Sequence, residues 1–135
     1  MAALSITPAS VVAGGPIVTG NAGATLTAGQ VVRKNTSDQW VAAVNDSAAN
    51  AAAFGVALNG GAVNQPIAVQ TSGPITIGAT VGVGKVYVLG TAGGIIPVDD
   101  IAGTEFITNI GVGASASVLT LMIVPSGVAA AGAVT

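Results

Sequence analysis

The sequence predicts an all-β fold, a compact β-sandwich or β-barrel of short antiparallel strands with an extended N-terminal arm, and three observations carry that prediction. Its apolar residues fall in short runs rich in Val and Ile, the β-branched types that suit a pleated surface. Turn formers interrupt those runs every ~8–12 residues, the spacing of sandwiches and barrels. No fixed-length repeat is present that would indicate a solenoid.

Taken in order, residues 1–20 are broken by Pro8, Gly14, Gly15 and Pro16. That pattern fits an extended arm better than a core strand. Gln30-Val31-Val32-Arg33-Lys34 and Gln39-Trp40-Val41-Ala42 then flank the turn formers Asn35-Thr36-Ser37-Asp38. This predicts a β-hairpin with a four-residue connection. Asp46 and Ser47 stand where they would cap an Ala-rich turn of helix running to Ala53.

Phe54-Gly55-Val56-Ala57-Leu58 and Pro66-Ile67-Ala68-Val69-Gln70 form the next pair of strands. Asn59-Gly60-Gly61 closes them, because Asn-Gly accepts the positive φ of a tight hairpin turn. Ser72-Gly73-Pro74 turns into Ile75-Thr76-Ile77, and Lys85-Val86-Tyr87-Val88-Leu89 follows. Ile95-Ile96-Pro97, residues 106–112 and residues 117–124 complete the strands. The β domain covers residues 21–127, and residues 128–135, small and featureless, form a flexible C-terminal tail.

Composition narrows the chemistry. Of 135 residues only 3 are Lys or Arg and 5 are Asp or Glu, with no His and no Cys. The imidazole base, the thiolate nucleophile and the soft metal ligand are therefore absent. A net charge of −2 leaves Arg33, Lys34 and Lys85 too few to form a phosphate-binding stripe, so no nucleic-acid partner is expected. Charged residues make up 6%, against about 25% in average proteins, and mean hydropathy is +0.81. Together these point to a surface largely covered by partner subunits. No apolar run reaches the ~20 residues of a spanning helix, and aromatics at 3% are too scarce for the girdles of a membrane barrel. No basic signal-peptide segment is present, so the expectation is a soluble protein with no membrane partner.

Near-matches to chemical motifs each lack a required part. Gly111-Val112-Gly113-Ala114-Ser115-Ala116 has dinucleotide-like spacing but precedes a β-type run instead of a helix. In Gly82-Val83-Gly84-Lys85, Val86 stands where a phosphate loop needs a hydroxyl. Serine without histidine cannot form a triad. Asp99, Asp100 and Glu105 are the only acidic cluster; a solvated loop is the expected role, with a weak cation site as the alternative. Trp40 is either a core anchor of the hairpin or an interface hot spot. Neither catalytic, cofactor-binding nor metal-ligating residues are assigned, and no enzymatic activity is expected.

In sequence, Ala28-Gly29-Gln30-Val31-Val32, Trp40-Val41-Ala42-Ala43, Phe54-Gly55-Val56-Ala57-Leu58 and Ile75-Thr76-Ile77-Gly78 form a recognisable series. Gly84 through Tyr87, Gly93-Gly94-Ile95 with Pro97, Ile110-Gly111 and the apolar run 119–123 continue it. The series resembles the small capsid decoration (cement, or head-stabilising) proteins of tailed bacteriophages, across roughly residues 20–127. The resemblance implies a homotrimer on the outside of a phage head at local three-fold positions. There it would bridge major capsid subunits and stabilise the expanded shell. It implies a virion protein made in the host cytoplasm, with no catalytic residues to carry over. On this view the arm, with Leu4, Ile6, Val11 and Val12, is the candidate capsid contact, pairing with a capsid strand. The eight charges should lie on loops and hairpin faces, away from contacts between subunits. A phage fibre or adhesin domain that binds a receptor or glycan is the alternative; the scarcity of aromatic rings counts against it.

Overall fold

A computed structural model describes residues 3–130. Strands make up 45% of the chain and helix 5%, arranged in two antiparallel sheets, so the all-β sandwich-like class holds. The strands are β1 (Val11–Val12), β2 (Ile17–Asn21), β3 (Val31–Lys34), β4 (Trp40–Ala42), β5 (Gly55–Ala57) and β6 (Pro66–Gln70). They continue with β7 (Ser72–Ile77), β8 (Val86–Leu89), β9 (Ile95–Pro97), β10 (Phe106–Gly113) and β11 (Val118–Ala129). One sheet has six strands in the order β1-β7-β11-β10-β8-β9, the other five in the order β2-β6-β5-β3-β4. No helix among the described residues is long and apolar enough to cross a membrane.

The two sheets are joined at a shared corner. β6 belongs to the five-stranded sheet and β7 to the six-stranded one, with only Thr71 between them. The N-terminal segment follows the same bend in the opposite direction. β1 pairs with β7 (Val11 opposite Ile77) and β2 pairs with β6 along its whole length, from Ile17 opposite Gln70 to Asn21 opposite Pro66. Residues 11–21 and 66–77 thus form one antiparallel ribbon folded around the edge of the sandwich.

At such a bend the ladder cannot continue, and backbone groups need other partners. Gln70, fully buried, supplies them. Its Nε2 donates to the carbonyls of Ser72 (2.9 Å), Gly73 (3.4 Å) and Pro74 (2.8 Å), and its Oε1 accepts from the Gly14 N–H at 3.0 Å. Close approach of the two strands demands glycine here. A Cβ on Gly14 would lie 2.6 Å from the Pro74 carbonyl oxygen, and one on Gly15 would overlap the Ser72 carbonyl.

Two hydrophobic cores result. Val31 and Val56 meet Ile75, Ile77, Tyr87, Leu89, Ile95, Ile110, Leu119 and Leu121 between the sheets. The neighbouring residues Val32 and Ala57 point the other way, into a second core with Trp40, Ile67, Val69, Leu26 and Ala22. The five-stranded sheet therefore buries both faces, which explains why β5 is apolar throughout instead of alternating. It curls into a half-barrel, and a parallel bridge from Ala22 to Trp40 draws its edges together.

Several local expectations are corrected. The segment expected as an extended arm is packed onto its own domain as edge strands. Burying Leu4, Ile6 and Val11 against the inter-sheet core removes apolar surface from water. The hairpin at 30–42 is present, with a connection of residues 35–39 ordered by Asn35 Oδ1, which accepts from the N–H groups of Ser37 and Gln39 at 2.9 Å. Asn59-Gly60-Gly61 is not a tight hairpin turn; the β5–β6 connection covers residues 58–65, and positive φ falls at Asn64. Asn59 instead acts as a short strand partner, its Oδ1 accepting from Ala68 N at 2.7 Å and its Nδ2 donating to Pro66 O at 3.0 Å.

Ser72-Gly73-Pro74 opens β7 and is not a separate turn. Residues 46–52 form hydrogen-bonded turns without a helix, since the Asn50 carbonyl is taken by Val44 N and the Ala51 carbonyl by Thr108 Oγ1. β11 runs to Ala129, opposite Phe106, so residues 128 and 129, expected in the tail, are strand. The rest of that expected tail, from residue 131, lies outside the described residues.

Gln70→Ala should strand several buried backbone groups at about 1–3 kcal/mol each, net of relaxation. Urea unfolding should then show a loss of about 3 kcal/mol or more. Asp38→Asn, which removes only the exposed Lys34–Asp38 ion pair (3.4 Å), should leave the urea midpoint unchanged.

Candidate interaction surface

A half-exposed antiparallel sheet normally alternates apolar inward and polar outward residues. In the six-stranded sheet the inward positions are Ile75, Ile77, Leu119, Leu121, Tyr87 and Leu89, all in the inter-sheet core. The outward positions follow by alternation and register. One row crosses three strands as Val12, Thr76 and Val118. A second crosses four strands as Pro74, Thr120, Val112 and Val86. Ser72 opposite Met122, and Val124 opposite Asn109, extend it.

This outer face is apolar. Val12, Met122 and Val124 are 58%, 57% and 58% exposed, and Val86, Val112 and Val118 are half-buried. Its polar members, Ser72, Thr76, Thr120 and Asn109, are neutral, and Asn109 Nδ2 is already engaged by the Met122 carbonyl at 2.7 Å. At the other end of the same face, Val88 and Ile96 point the same way yet are buried. There the fold supplies its own cover, the 3-10 turn Val98–Asp100 packing on β8. Over β1, β7, β11 and β10, nothing among the described residues does so.

The charges lie elsewhere. Arg33, Lys34 and Asp38 sit on the β3–β4 hairpin and Asp46 in the turn after it. Asp99, Asp100 and Glu105 lie between β9 and β10, and Lys85 precedes β8 at the rim of the face.

The expected site residues separate. Of the four proposed arm contacts, Leu4, Ile6 and Val11 pack on the chain's own core, and only Val12 reaches the outer face. Leu4 N donates to Ile95 O at 2.8 Å, and Ile6 fills the space beside Gly29 where a Cβ would meet its Cγ2 at 2.6 Å. Trp40 is fully buried in the second core, with the Phe54 ring 5.5 Å away and Lys34 Nζ 4.3 Å from its centroid. Its Nε1 faces Gly20 and has no hydrogen-bond partner among the described residues.

Asp100 and Glu105 line a cleft of about 280 Å³ with Ala3, Thr91 and Ile96. Glu105 Oε1 accepts from Ala102 N at 2.7 Å. Among the described residues no group of three or more acidic side chains is placed to hold a metal ion. Residues 82–85 form a turn into β8, with Lys85 N donating to Gly82 O at 3.1 Å. The run at 111–116 is the end of β10 and the turn into β11, closed by Ala114 N to Val118 O at 2.9 Å.

The outer face was missed from sequence, although its signal is present. Val118, Met122 and Val124 are alternate residues, interrupted by the neutral Thr120, of a run whose other members Leu119, Leu121 and Ile123 are apolar, so β11 is largely apolar on both faces where one would do. Comparison with models of known protein families and with curated proteins finds no match.

Because the acidic cluster lacks a converging third carboxylate, millimolar calcium should leave the thermal midpoint unchanged in differential scanning fluorimetry. A rise that saturates with calcium would show binding to the folded state.

Proposed function

We propose that the chain is a structural assembly protein, specifically a capsid decoration protein. In this reading it binds the outside of a phage head as a homotrimer at local three-fold positions, bridging major capsid subunits and stabilising the expanded shell. The observation that carries the structural role is the outer face of the six-stranded sheet, broad, apolar and without charge. Exposed contiguous apolar faces mark interaction sites, and burying one contributes about 25 cal/mol per Å² removed from water. Choosing a capsid as the target rests on the sequence resemblance.

The remaining features suit such a role. The packed N-terminal segment leaves no long free arm among the described residues, so contact with the shell would be made by preformed surfaces. A preordered surface loses little entropy on docking. Net charge of −2 and the absence of a basic patch give nucleic acid no purchase. The reading assigns the chain no catalytic step and no cofactor.

A second reading, a fibre or adhesin domain, has one observation in its favour. Phe54 is 50% exposed and stacks on Trp40 beside Lys34, which makes a small aromatic platform. One exposed ring is a small base for sugar stacking, so the assembly reading stands first.

Adding the purified protein to expanded capsids that lack it tests the proposal. Electron cryomicroscopy should show regular added density at local three-fold positions, and the shells should disrupt at a higher temperature. Density confined to a tail or fibre would favour the second reading, and no added density on any particle would overturn the first.

A further inference from the structure

We infer that the outer face of the six-stranded sheet is where copies of this chain meet, so that Val12, Val112, Val118, Met122 and Val124 are covered by the same face of the neighbouring copies around the assembly axis. The inference rests on the assembly reading above and supplies a contact that reading left unassigned.

Charge selects the occupant. A partner that placed Lys, Arg, Asp or Glu against Val and Met would bury that charge unpaired, at a cost far above any gain from contact. The face itself meets the requirement at every position, because its outward residues are apolar or neutral and Asn109 is already hydrogen-bonded within the sheet. All eight charges lie off the uncovered part of the face, with Lys85 at its rim and Asp99 and Asp100 on the turn at its covered end, the usual place for charge at an interface.

Geometry agrees. Twisted sheets pack face to face about 10 Å apart, with interdigitating side chains. Four open strands at about 4.8 Å spacing, and six residues at about 3.4 Å each, give a footprint on the order of 390 Å². Two such faces cover about 780 Å² as flat area, and side-chain relief raises the accessible area toward the ≈1,000 Å² that a specific interface needs. Edge-to-edge pairing along β11 is disfavoured by comparison. Beyond Met122 the free edge of β11 is interrupted by Pro125, by Gly127 at φ +74° and by a register shift against β10, features that blunt an edge. A closed symmetric assembly uses this same face in each copy and leaves none of it in water.

The test is the mass of the free protein by analytical ultracentrifugation between about 5 and 100 μM, with folding checked by circular dichroism melts. The wild type should be a closed oligomer. Met122→Glu combined with Val124→Glu should weaken association on the order of 100-fold or more, leaving folded monomer. Val63→Glu, an equally exposed apolar position in the β5–β6 connection, should keep the oligomer.

An uncharged variant gives an independent readout. The chain has no cysteine, so the single thiol of Met122→Cys should alkylate at least ten times more slowly than that of Val63→Cys. A wild type that stays monomeric at 100 μM, or a charged double variant of wild-type mass, would overturn the inference. Should that variant keep its mass but lose shell binding, the face belongs to the shell and the capsid proposal survives alone. Should the wild type oligomerise through this face but never bind shells, the inference survives and the capsid proposal fails.

Discussion

The amide of Gln70 holds the sandwich at its corner. Two strands cross there from one sheet to the other side by side, and a bent ribbon cannot satisfy its own backbone. One buried side chain answers the need with a donor group shared among three carbonyls and an acceptor aimed at Gly14 N. Glutamine suits the place because its amide both donates and accepts; a carboxylate would set like partial charges against the carbonyls. Gly14 and Gly15 are small for the same reason, since the opposite strand passes within contact of their Cα atoms. Everything downstream depends on this corner, because it sets where β7 begins and so the register of the six-stranded sheet.

The two sheets then have opposite fates. The five-stranded sheet curls, with Ala22 bridged to Trp40, and encloses a core on each face. The six-stranded sheet stays open, and its outward residues remain apolar without anything from the described chain to cover most of them. Val88 and Ile96 provide the internal comparison, since they face the same way and are buried by the chain's own turn. The low charge of the chain thus has a location. Its few charges are placed on hairpins and loops, and the area without them is one continuous sheet face.

Much of the local structure was legible in the residues. Val31-Val32 and Trp40-Val41 around Asn35 predict a hairpin because turn chemistry and β-branched flanks act within a few residues of each other. Elements that failed did so where a distant partner outbid a local preference. Asn59-Gly60 carries a tight-turn signal, yet Leu26 bridges to Gly61 and holds the connection open. The turn at 46–52 had a plausible cap, but its carbonyls are taken by Val44 and Thr108. Leu4 and Ile6 looked free in a glycine- and proline-broken segment, and the exposed core edge beside them captured them.

What the sequence determined by itself was the class and a limit on the chemistry: short β-branched runs between turn formers make strands, and without His or Cys the chain offers no imidazole base and no thiolate. Only the tertiary structure decided which apolar residues share a face. Side chains alternate along each strand, but their assignment to core or solvent depends on register against neighbours far away in sequence, and a shift of one residue would exchange the two faces. That register places Val12, Val112, Val118 and Met122 together on the outside, where apolar composition becomes one uncharged sheet face.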